Sequence, residues 1–167
     1  MPLLTNFDVR VHDICDKLLL RQVAQVNAAL PSLMPALFGP DCLQSSSCLH
    51  NERLVFSEGE PAINFYWPPG GFEAHEDKQS LTCLLNLSAE EDYVGGGTAF
   101  WSTPAGDEHN KPTLIVRPPI GTAIIFAGSV THAGVAIASG KRIVLVASFS
   151  PVAFRSTRAF EAALRMA

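Results

Sequence analysis

Residues 70–88 read GGFEAHEDKQSLTCLLNLS and join a glycine-rich turn to a long apolar run. The run at 80–87 has the length and hydrophobicity of a buried strand. His75 and Asp77 stand on its threshold, in a chain that has only five histidines. Residues i and i+2 of a strand point to the same side, so this pair can aim an imidazole nitrogen and a carboxylate oxygen at one point. The stretch predicts either a surface turn or part of a metal site.

The chain beyond residue 52 repeats this alternation of short apolar runs and turns. Further runs are ERLVF (52–56), PAINFYW (61–67), TAFW (98–101), TLIV (113–116), GTAIIF (121–126), HAGVAI (132–137) and RIVLVASFS (142–150). The segments between them, such as PPGG, VGGGT and RPPIG, are rich in Gly and Pro. Many short strands with no interleaved helices indicate an antiparallel sandwich or barrel.

Helical patterns flank this strand-rich region. In residues 11–30, an apolar face recurs at helical spacing and consists of Ile14, Leu18, Val23, Val26 and Leu30. The segment LPSLMPALFGP (30–40) continues or turns this helix, and STRAFEAALRM (156–166) predicts a short helix. We therefore expect one domain over 1–167, with N-terminal helical support at 1–50, a β core at 51–150 and a C-terminal helix at 151–167.

Composition excludes several classes of protein. The 167 residues suit a single core, and the hydrophobic fraction of 47% with 17% charged residues is typical of a globular chain. A net charge of −4 without a run of Lys or Arg argues against nucleic-acid and anionic-membrane partners. No run reaches the roughly 18–20 apolar residues that a membrane span needs, and no secretory signal is visible. A cytoplasmic location is favoured, although the compartment stays open.

The cysteines do not form a recognisable metal motif. Cys42, Cys48 and His50 cluster in a polar, Ser-rich segment. A zinc site there would lack a fourth ligand and the usual ligand spacing, so a solvated loop is the expectation. Cys83 lies within an apolar run and is most simply a small core residue.

His132 is the best-placed third ligand for a site that contains His75 and Asp77, because it opens a separate strand pattern. Two histidines and one carboxylate on one face of a metal ion form the facial triad of non-haem Fe(II) oxygenases. Ten residues later, Arg142 begins another apolar run. A buried guanidinium requires an anion, which a dicarboxylate that chelates the metal would supply. Taken singly, these residues also fit a chance HxD, a rim histidine and a charge that closes a hairpin.

Residues 61–150 resemble the Fe(II)/2-oxoglutarate-dependent dioxygenases, in particular the prolyl 4-hydroxylase and lysyl hydroxylase branch. The motifs that carry the resemblance are NFYWPPGGFEAHED, SLTCLLNLS, DYVGGGTAFW, PPIGTAIIF and THAGVAIASGKRIVLVASF. Their order is HxD, then GGGT, then a glycine five residues before a phenylalanine, then a histidine followed at +10 by a basic residue. The resemblance implies a mostly β fold with flanking helices and a double-stranded β-helix (jelly-roll or cupin-like) core.

The resemblance also implies roles for individual residues. His75, Asp77 and His132 would hold the iron, and Arg142 would bind the C5 carboxylate of 2-oxoglutarate. The cosubstrate pocket would further involve Tyr66, Thr82, Leu84, Asn86, Val146 and Ser148. Two positions depart from the branch: Phe72 stands where relatives often have a tyrosine, and Asn86 stands where some relatives have one.

The activity that the resemblance implies is hydroxylation of an unactivated C–H bond, with release of succinate and CO₂. The implied cofactors are Fe(II), 2-oxoglutarate and O₂, with ascorbate as an additional candidate. The expected substrate is a prolyl- or lysyl-type residue in a protein or peptide. A free amino acid or other small metabolite is the alternative, and a catalytically silent β-helix that binds a partner is a third. The oligomeric state stays open.

Overall fold

The computed structural model describes residues 9–32, 54–102 and 111–151. An α-helix, α1, spans Val9–Ala29. The strands are β1 (Leu54–Phe56), β2 (Ala62–Tyr66), β3 (Phe72–His75), β4 (Leu81–Asn86), β5 (Tyr93–Gly95), β6 (Thr98–Phe100), β7 (Leu114–Val116), β8 (Ala123–Ala127), β9 (His132–Gly134), β10 (Ile137–Gly140) and β11 (Arg142–Pro151). A 3-10 turn, Glu90–Asp92, precedes β5.

The strands form two larger sheets and one two-stranded ribbon. The first sheet has the order β1-β11-β4-β8, with β2 also paired to β11, and the second has the order β3-β9-β6-β7. The ribbon joins β10 to β5, and all of these pairs are antiparallel. The sheets meet where the Phe100 ring of β6 lies 5.0 Å from that of Phe126 in β8. This arrangement confirms the predicted fold class, mostly β with a jelly-roll core.

Alternation along β4 separates the apolar core from the interior between the sheets. Leu81 and Cys83 are buried on the outer face, where they pack with Leu19 of α1. Thr82 and Leu84 point to the opposite face, because neighbouring residues of a strand alternate. The same alternation applies to β11, so the two central strands present an apolar surface to the helix and a partly polar one to the second sheet.

Helix α1 begins two residues earlier than predicted, and its buried face is different. Leu19 is only 3% exposed, whereas Ile14 and Leu30, which the sequence pattern placed on the apolar face, are more than half exposed. Leu18 and Val23 pack partly against the core as expected. The contact with the sheet is made by the middle turns of the helix, so apolar residues near its ends do not reach the core.

Four strands, β3, β5, β9 and β10, differ from the sequence pattern. The predicted run at 132–137 divides into β9 and β10, because β9 pairs with β3 and β6 whereas β10 pairs with β5. Strands β3 and β5 were not predicted, since the first is largely exposed and the second ends in glycine. His75 ends β3, so Asp77 lies in the following loop rather than on a strand. Strand alternation is therefore not what brings the ligand atoms of His75 and Asp77 together, although they do lie close to each other as predicted.

Several predictions fall outside the described residues. These are the continuation of the first helix beyond residue 32, the Cys42–Cys48–His50 loop and the C-terminal helix after residue 151. The proposed domain boundaries stay predictions. No helix in the described part of the chain combines the length and the apolar character that crossing a membrane requires.

Candidate metal centre

His75, Asp77 and His132 converge at one end of the second sheet. His75 is the last residue of β3, His132 is the first of β9, and the two are partners across the ladder. Their rings lie 4.4 Å apart between centroids. One ligand atom from each of the three residues lies within 4.8 Å of the others. Strand pairing therefore brings the two imidazoles together, and the loop after β3 adds the carboxylate.

The backbone orients both imidazoles towards the carboxylate. Nδ1 of His75 lies 2.8 Å from the carbonyl oxygen of Glu73, and Nδ1 of His132 lies 2.9 Å from that of Val130. When Nδ1–H donates to these oxygens, Nε2 keeps its lone pair for a metal ion. Each Nε2 lies 3.6 Å from an oxygen of Asp77. The three residues thus offer two nitrogen ligands and one oxygen ligand to a shared point.

His132 is held in an apolar environment that favours its neutral form. The Phe126 ring lies 4.6 Å from the imidazole between centroids, and the Phe100 ring lies 6.4 Å away. Burial lowers the pKa of His132, while the hydrogen bond to Val130 and the charge of Asp77 act in the opposite direction. A neutral imidazole is the form that binds a metal.

Asp77 is fixed at its backbone and at its side chain. Its N–H donates to the carbonyl oxygen of Gly128, 2.8 Å away, in the turn between β8 and β9. Its Oδ2 accepts hydrogen bonds from the hydroxyls of Thr82 and Ser148, the latter at 3.3 Å. The carboxylate is therefore positioned by strands of the first sheet, although the imidazoles belong to the second.

A cavity of about 70 Å³ connects the two histidines to Arg142. Its lining residues are Asn64, Tyr66, Phe72, His75, Leu84, Thr98, His132, Gly134, Arg142 and Val144. The cavity therefore lies between the two sheets, with imidazoles and a guanidinium on its wall.

Arg142 is a buried cation, 4% exposed, with incomplete pairing. Nη1 donates to the carbonyl oxygen of Gly97 at 3.0 Å, and Nη2 donates to Thr98 Oγ1 at 3.4 Å. Nε has no hydrogen-bond partner, and no carboxylate within residues 9–32, 54–102 and 111–151 forms an ion pair with this guanidinium.

The buried guanidinium of Arg142 would be stabilised by an anionic ligand. Burial lowers the pKa of the Arg142 guanidinium, while Tyr93 and Tyr66 raise it. A buried charge without a countercharge is unfavourable, so an anionic ligand in the cavity would stabilise this residue. The histidine and aspartate donors suit Fe(II) and similar divalent ions. The residues present thus fit both a metal ion and an anionic chelator of that ion.

The predicted cosubstrate residues occupy three kinds of position. Tyr66 and Leu84 line the cavity together with Arg142. Thr82 and Ser148 lie behind Asp77 and bond to its carboxylate. For these residues the predicted cosubstrate contacts stay predictions.

The last two residues predicted to contact the cosubstrate, Asn86 and Val146, do not line the cavity. The amide nitrogen of Asn86 donates to the carbonyl oxygens of Ser88 and Pro118, at 2.9 and 2.8 Å. Val146 pairs with Leu84 across the ladder but does not line the cavity. Their predicted cosubstrate contacts likewise stay predictions.

Several lining residues were not identified from the sequence. Asn64 and Val144 lie two residues from Tyr66 and Arg142, so period-2 alternation could have indicated them. Asn64 also donates to the Tyr66 hydroxyl oxygen at 3.3 Å. Thr98 ends the GGGT motif, but its contact with Arg142 depends on the approach of the two sheets and has no local signal.

No protein-family model matches the chain, and no curated protein matches it. Among solved structures, an oxidoreductase of the 2OG-Fe(II) oxygenase family from Burkholderia pseudomallei is 15% identical, with a TM-score of 0.46 over 67% of this chain and 56% of the other. A prolyl-4-hydroxylase from Pseudomonas putida is 20% identical, with a TM-score of 0.42 over 54% of this chain and 51% of the other. An RmlC-like cupin protein from Desulfovibrio desulfuricans is 13% identical, with a TM-score of 0.35 over 59% of this chain and 80% of the other.

The chain spans about half of the length of the first two of these structures. At these identities the similarity concerns the fold, and the roles of the site residues are inferred from their own geometry. In structure, the chain is similar to proteins of the 2OG-Fe(II) oxygenase family, to a prolyl-4-hydroxylase and to a cupin protein.

Proposed function

We propose that this chain is an Fe(II)- and 2-oxoglutarate-dependent dioxygenase that hydroxylates an unactivated C–H bond and releases succinate and CO₂. The observation that supports this most directly is one cavity with two features. Its wall includes both histidines of the His75–Asp77–His132 cluster and a buried arginine with an unpaired N–H. A 2-oxo diacid matches both features, because one end can chelate a metal ion while the other carries the anion that Arg142 requires.

In this proposal the chain's residues bind, orient and shield the reactants. His75, Asp77 and His132 would hold Fe(II) through Nε2, a carboxylate oxygen and Nε2. Bound iron, with 2-oxoglutarate and O₂, supplies the oxidising chemistry that C–H hydroxylation needs. Arg142 orients the cosubstrate through its distal carboxylate. Tyr66 and Leu84 form part of the same wall, whereas Thr82, Asn86, Val146 and Ser148, for which cosubstrate contacts were also predicted, do not line the cavity.

Aromatic side chains near His132 would keep water from the reacting centre. Phe100 and Phe126 pack edge to face beside the imidazole. Their rings present no hydrogen-bonding group, and exclusion of water strengthens electrostatic interactions within the site. The two phenylalanine rings thus form an apolar surface that would exclude water on the His132 side of the site.

The substrate that we propose is a prolyl- or lysyl-type residue in a protein or peptide. The His75 side chain is 36% exposed, and the neighbouring Phe72 is 55% exposed. The Phe72 ring lies 5.2 Å from the His75 ring between centroids. The centre is therefore open on the β3 side, where one residue of an extended peptide could reach it without displacing a buried element.

The test is an anaerobic titration of the protein with Fe(II) and 2-oxoglutarate, followed by succinate detection in air. We expect a weak visible charge-transfer band and slow succinate formation, both abolished in Asp77→Ala. Ascorbate should increase the yield of succinate if it serves as an additional reductant. Mass spectrometry for a +16 product across peptide and metabolite libraries then identifies the substrate class. A wild-type protein with neither band nor succinate would contradict the proposal.

A further inference from the structure

Two buried hydroxyls lie directly behind the candidate carboxylate ligand. Thr82 of β4 is 0% exposed, and Ser148 of β11 is 1% exposed. The two residues are partners across the ladder, and their hydroxyl oxygens lie 3.2 Å apart. Both side chains are buried, and a buried hydroxyl requires a hydrogen-bond partner.

The partner of both hydroxyls is the same oxygen of Asp77. Thr82 Oγ1–H donates to Oδ2, and Ser148 Oγ–H donates to Oδ2 at 3.3 Å. The other oxygen, Oδ1, lies 3.6 Å from Nε2 of His75. Oδ2 also lies 3.6 Å from Nε2 of His132, so a metal ion at the cluster could be reached by either oxygen. The two hydroxyls make the two oxygens unequal, because their hydrogen bonds occupy the lone pairs of Oδ2 and leave those of Oδ1 free for a metal ion.

We propose that Thr82 and Ser148 are positioning residues that hold Asp77 by Oδ2, so that Oδ1 would be the one oxygen that Asp77 offers to a metal ion. This inference rests on the metal site proposed above. Here the two hydroxyls hold the carboxylate of Asp77, whereas Thr82 and Ser148 were predicted from the sequence to contact the cosubstrate. Neither hydroxyl needs to contact the metal ion or the substrate.

The two hydroxyls are themselves held in place. The backbone N–H of Ser148 donates to a carboxylate oxygen of Glu60, which ties β11 to the segment just before β2. Thr82 is held in the ladder between β11 and β8. The hydroxyl pair is thus held in a hydrogen-bonded sheet, and its hydrogen bonds restrict the position of the Asp77 carboxylate.

One-oxygen binding matters for the number of positions left on the metal ion. With three protein ligand atoms, the ion would keep room for a two-point chelator and one further small molecule. A carboxylate bound through both oxygens would take one of these positions. The hydroxyl pair therefore keeps the site open, besides holding the ligand in its rotamer.

The test is metal binding, measured by calorimetry with Mn²⁺ in the absence of oxygen. Thr82→Val removes the hydroxyl but keeps the side-chain shape, and Thr82→Ser restores the hydroxyl. Loss of an outer-shell partner typically weakens metal binding about 10- to 100-fold, so we expect that loss for Thr82→Val and near wild-type binding for Thr82→Ser. The visible spectrum of bound Co²⁺ should also change in Thr82→Val, since it reports the number of ligands.

Ser150→Ala is the matched control. Ser150 Oγ lies 3.0 Å from Ser80 Oγ in a second buried hydroxyl pair, next along the same inner face, and this pair has no contact with Asp77. We expect Ser150→Ala to bind Mn²⁺ as the wild type does. Ser148→Ala repeats the test if Thr82→Val fails to fold.

The outcomes separate this inference from the proposed function. Wild-type affinity in both Thr82→Val and Ser148→Ala would overturn the positioning role and leave the metal site intact. Failure of a folded Thr82→Ser to restore binding would also overturn it, because packing rather than the hydroxyl would then be responsible. A wild-type protein that binds no divalent metal would contradict the proposed function, and the inference with it.

Discussion

Arg142 is the residue whose replacement should affect the cosubstrate most directly. Its guanidinium is buried and carries an N–H without a partner. In the proposed function it forms a charge-assisted pair with the distal carboxylate of 2-oxoglutarate. Arg142→Ala should therefore weaken cosubstrate binding by about 2–3 kcal/mol, or roughly 30- to 150-fold. The measurement is the concentration of 2-oxoglutarate needed for half-maximal succinate formation.

A 2-oxo acid without the distal carboxylate provides the control for Arg142. Such an acid can still chelate a metal ion but has no anion for the guanidinium, so it should bind wild type and Arg142→Ala equally. Arg142→Lys keeps the charge without the planar fork and should give an intermediate effect. Unchanged 2-oxoglutarate affinity in Arg142→Ala would show that the cosubstrate is bound elsewhere.

Glu60 gives the site region a dependence on pH. Burial raises the pKa of Glu60, whereas the hydrogen bonds from Ser148 lower it. When folding raises the pKa of a carboxyl group, the folded state favours its protonated form. The group therefore stabilises the fold at pH below its ordinary pKa, and this stabilisation is lost as the pH rises through the pKa of the folded state. Glu60→Gln, which keeps an acceptor for Ser148 N–H, should therefore raise the melting temperature at about pH 7 but not at about pH 4.

Glu58→Gln is the control for this effect, because Glu58 is an exposed acid two residues away. Its difference from wild type should be the same at both pH values. The measurement is thermal unfolding across a pH series for the wild type and both variants. A Glu60→Gln protein that is less stable than wild type near neutral pH would show that the ionised carboxylate is the stabilising form.

Among the structural elements, the turn between β8 and β9 fixes the loop that carries Asp77. Gly128 in this turn accepts the N–H of Asp77 and donates to the carbonyl oxygen of Ser80, at 2.8 and 3.0 Å. A Cβ at this position would overlap the carbonyl oxygen of Gln79 and lie 3.2 Å from that of Asp77. Only glycine allows the two loops to approach so closely.

We therefore expect Gly128→Ala to displace Asp77 and to weaken Mn²⁺ binding by at least about 10-fold, in the range seen when support of a metal ligand is lost. Calorimetry measures the affinity, and thermal unfolding measures the accompanying loss of stability. Ser129→Ala, in the same turn at an exposed position, is the control and should bind as wild type. Normal metal binding by Gly128→Ala would mean that the loops separate without moving the carboxylate.

The elements that follow a simple periodic pattern could be predicted from the sequence, and those that depend on tertiary contacts could not. Strands β4 and β11 are central and apolar, so local pattern and burial agree. Strand β3 lies at the edge of the second sheet and is largely exposed, so it has no hydrophobic signal. Asp77 was identified as a candidate ligand by its spacing from His75, but its position depends on the distant Gly128.

The same limit applies to Thr82 and Ser148. Alternation along β4 and β11 correctly places both on the inner face, together with Leu84. It does not show which partner a hydroxyl will find there. That partner is Asp77, whose loop crosses from β3 in the second sheet to β4 in the first. Periodicity thus predicts the face of a residue, whereas its chemical role follows from the fold.

For the whole molecule, the candidate centre joins the two sheets. His75 and His132 belong to the second sheet, and Asp77 is held by hydroxyls of the first. A metal ion bound by all three residues would cross-link segments that are far apart in the sequence. The unfolded chain has no such arrangement, so it should bind the ion much more weakly than the folded chain.

Metal binding should therefore stabilise the whole fold. At a free metal concentration of 100 times Kd, the free energy of unfolding should increase by about 2.7 kcal/mol. For a chain of this size each kcal/mol corresponds to about 2–4 °C, so the melting temperature should rise by roughly 5–11 °C with Mn²⁺. Thermal unfolding without oxygen measures the shift, and excess chelator should reverse it. Asp77→Ala should show no shift. A rise of equal size in that variant would place the ion outside the His75–Asp77–His132 cluster, because the carboxylate would then contribute nothing to its binding.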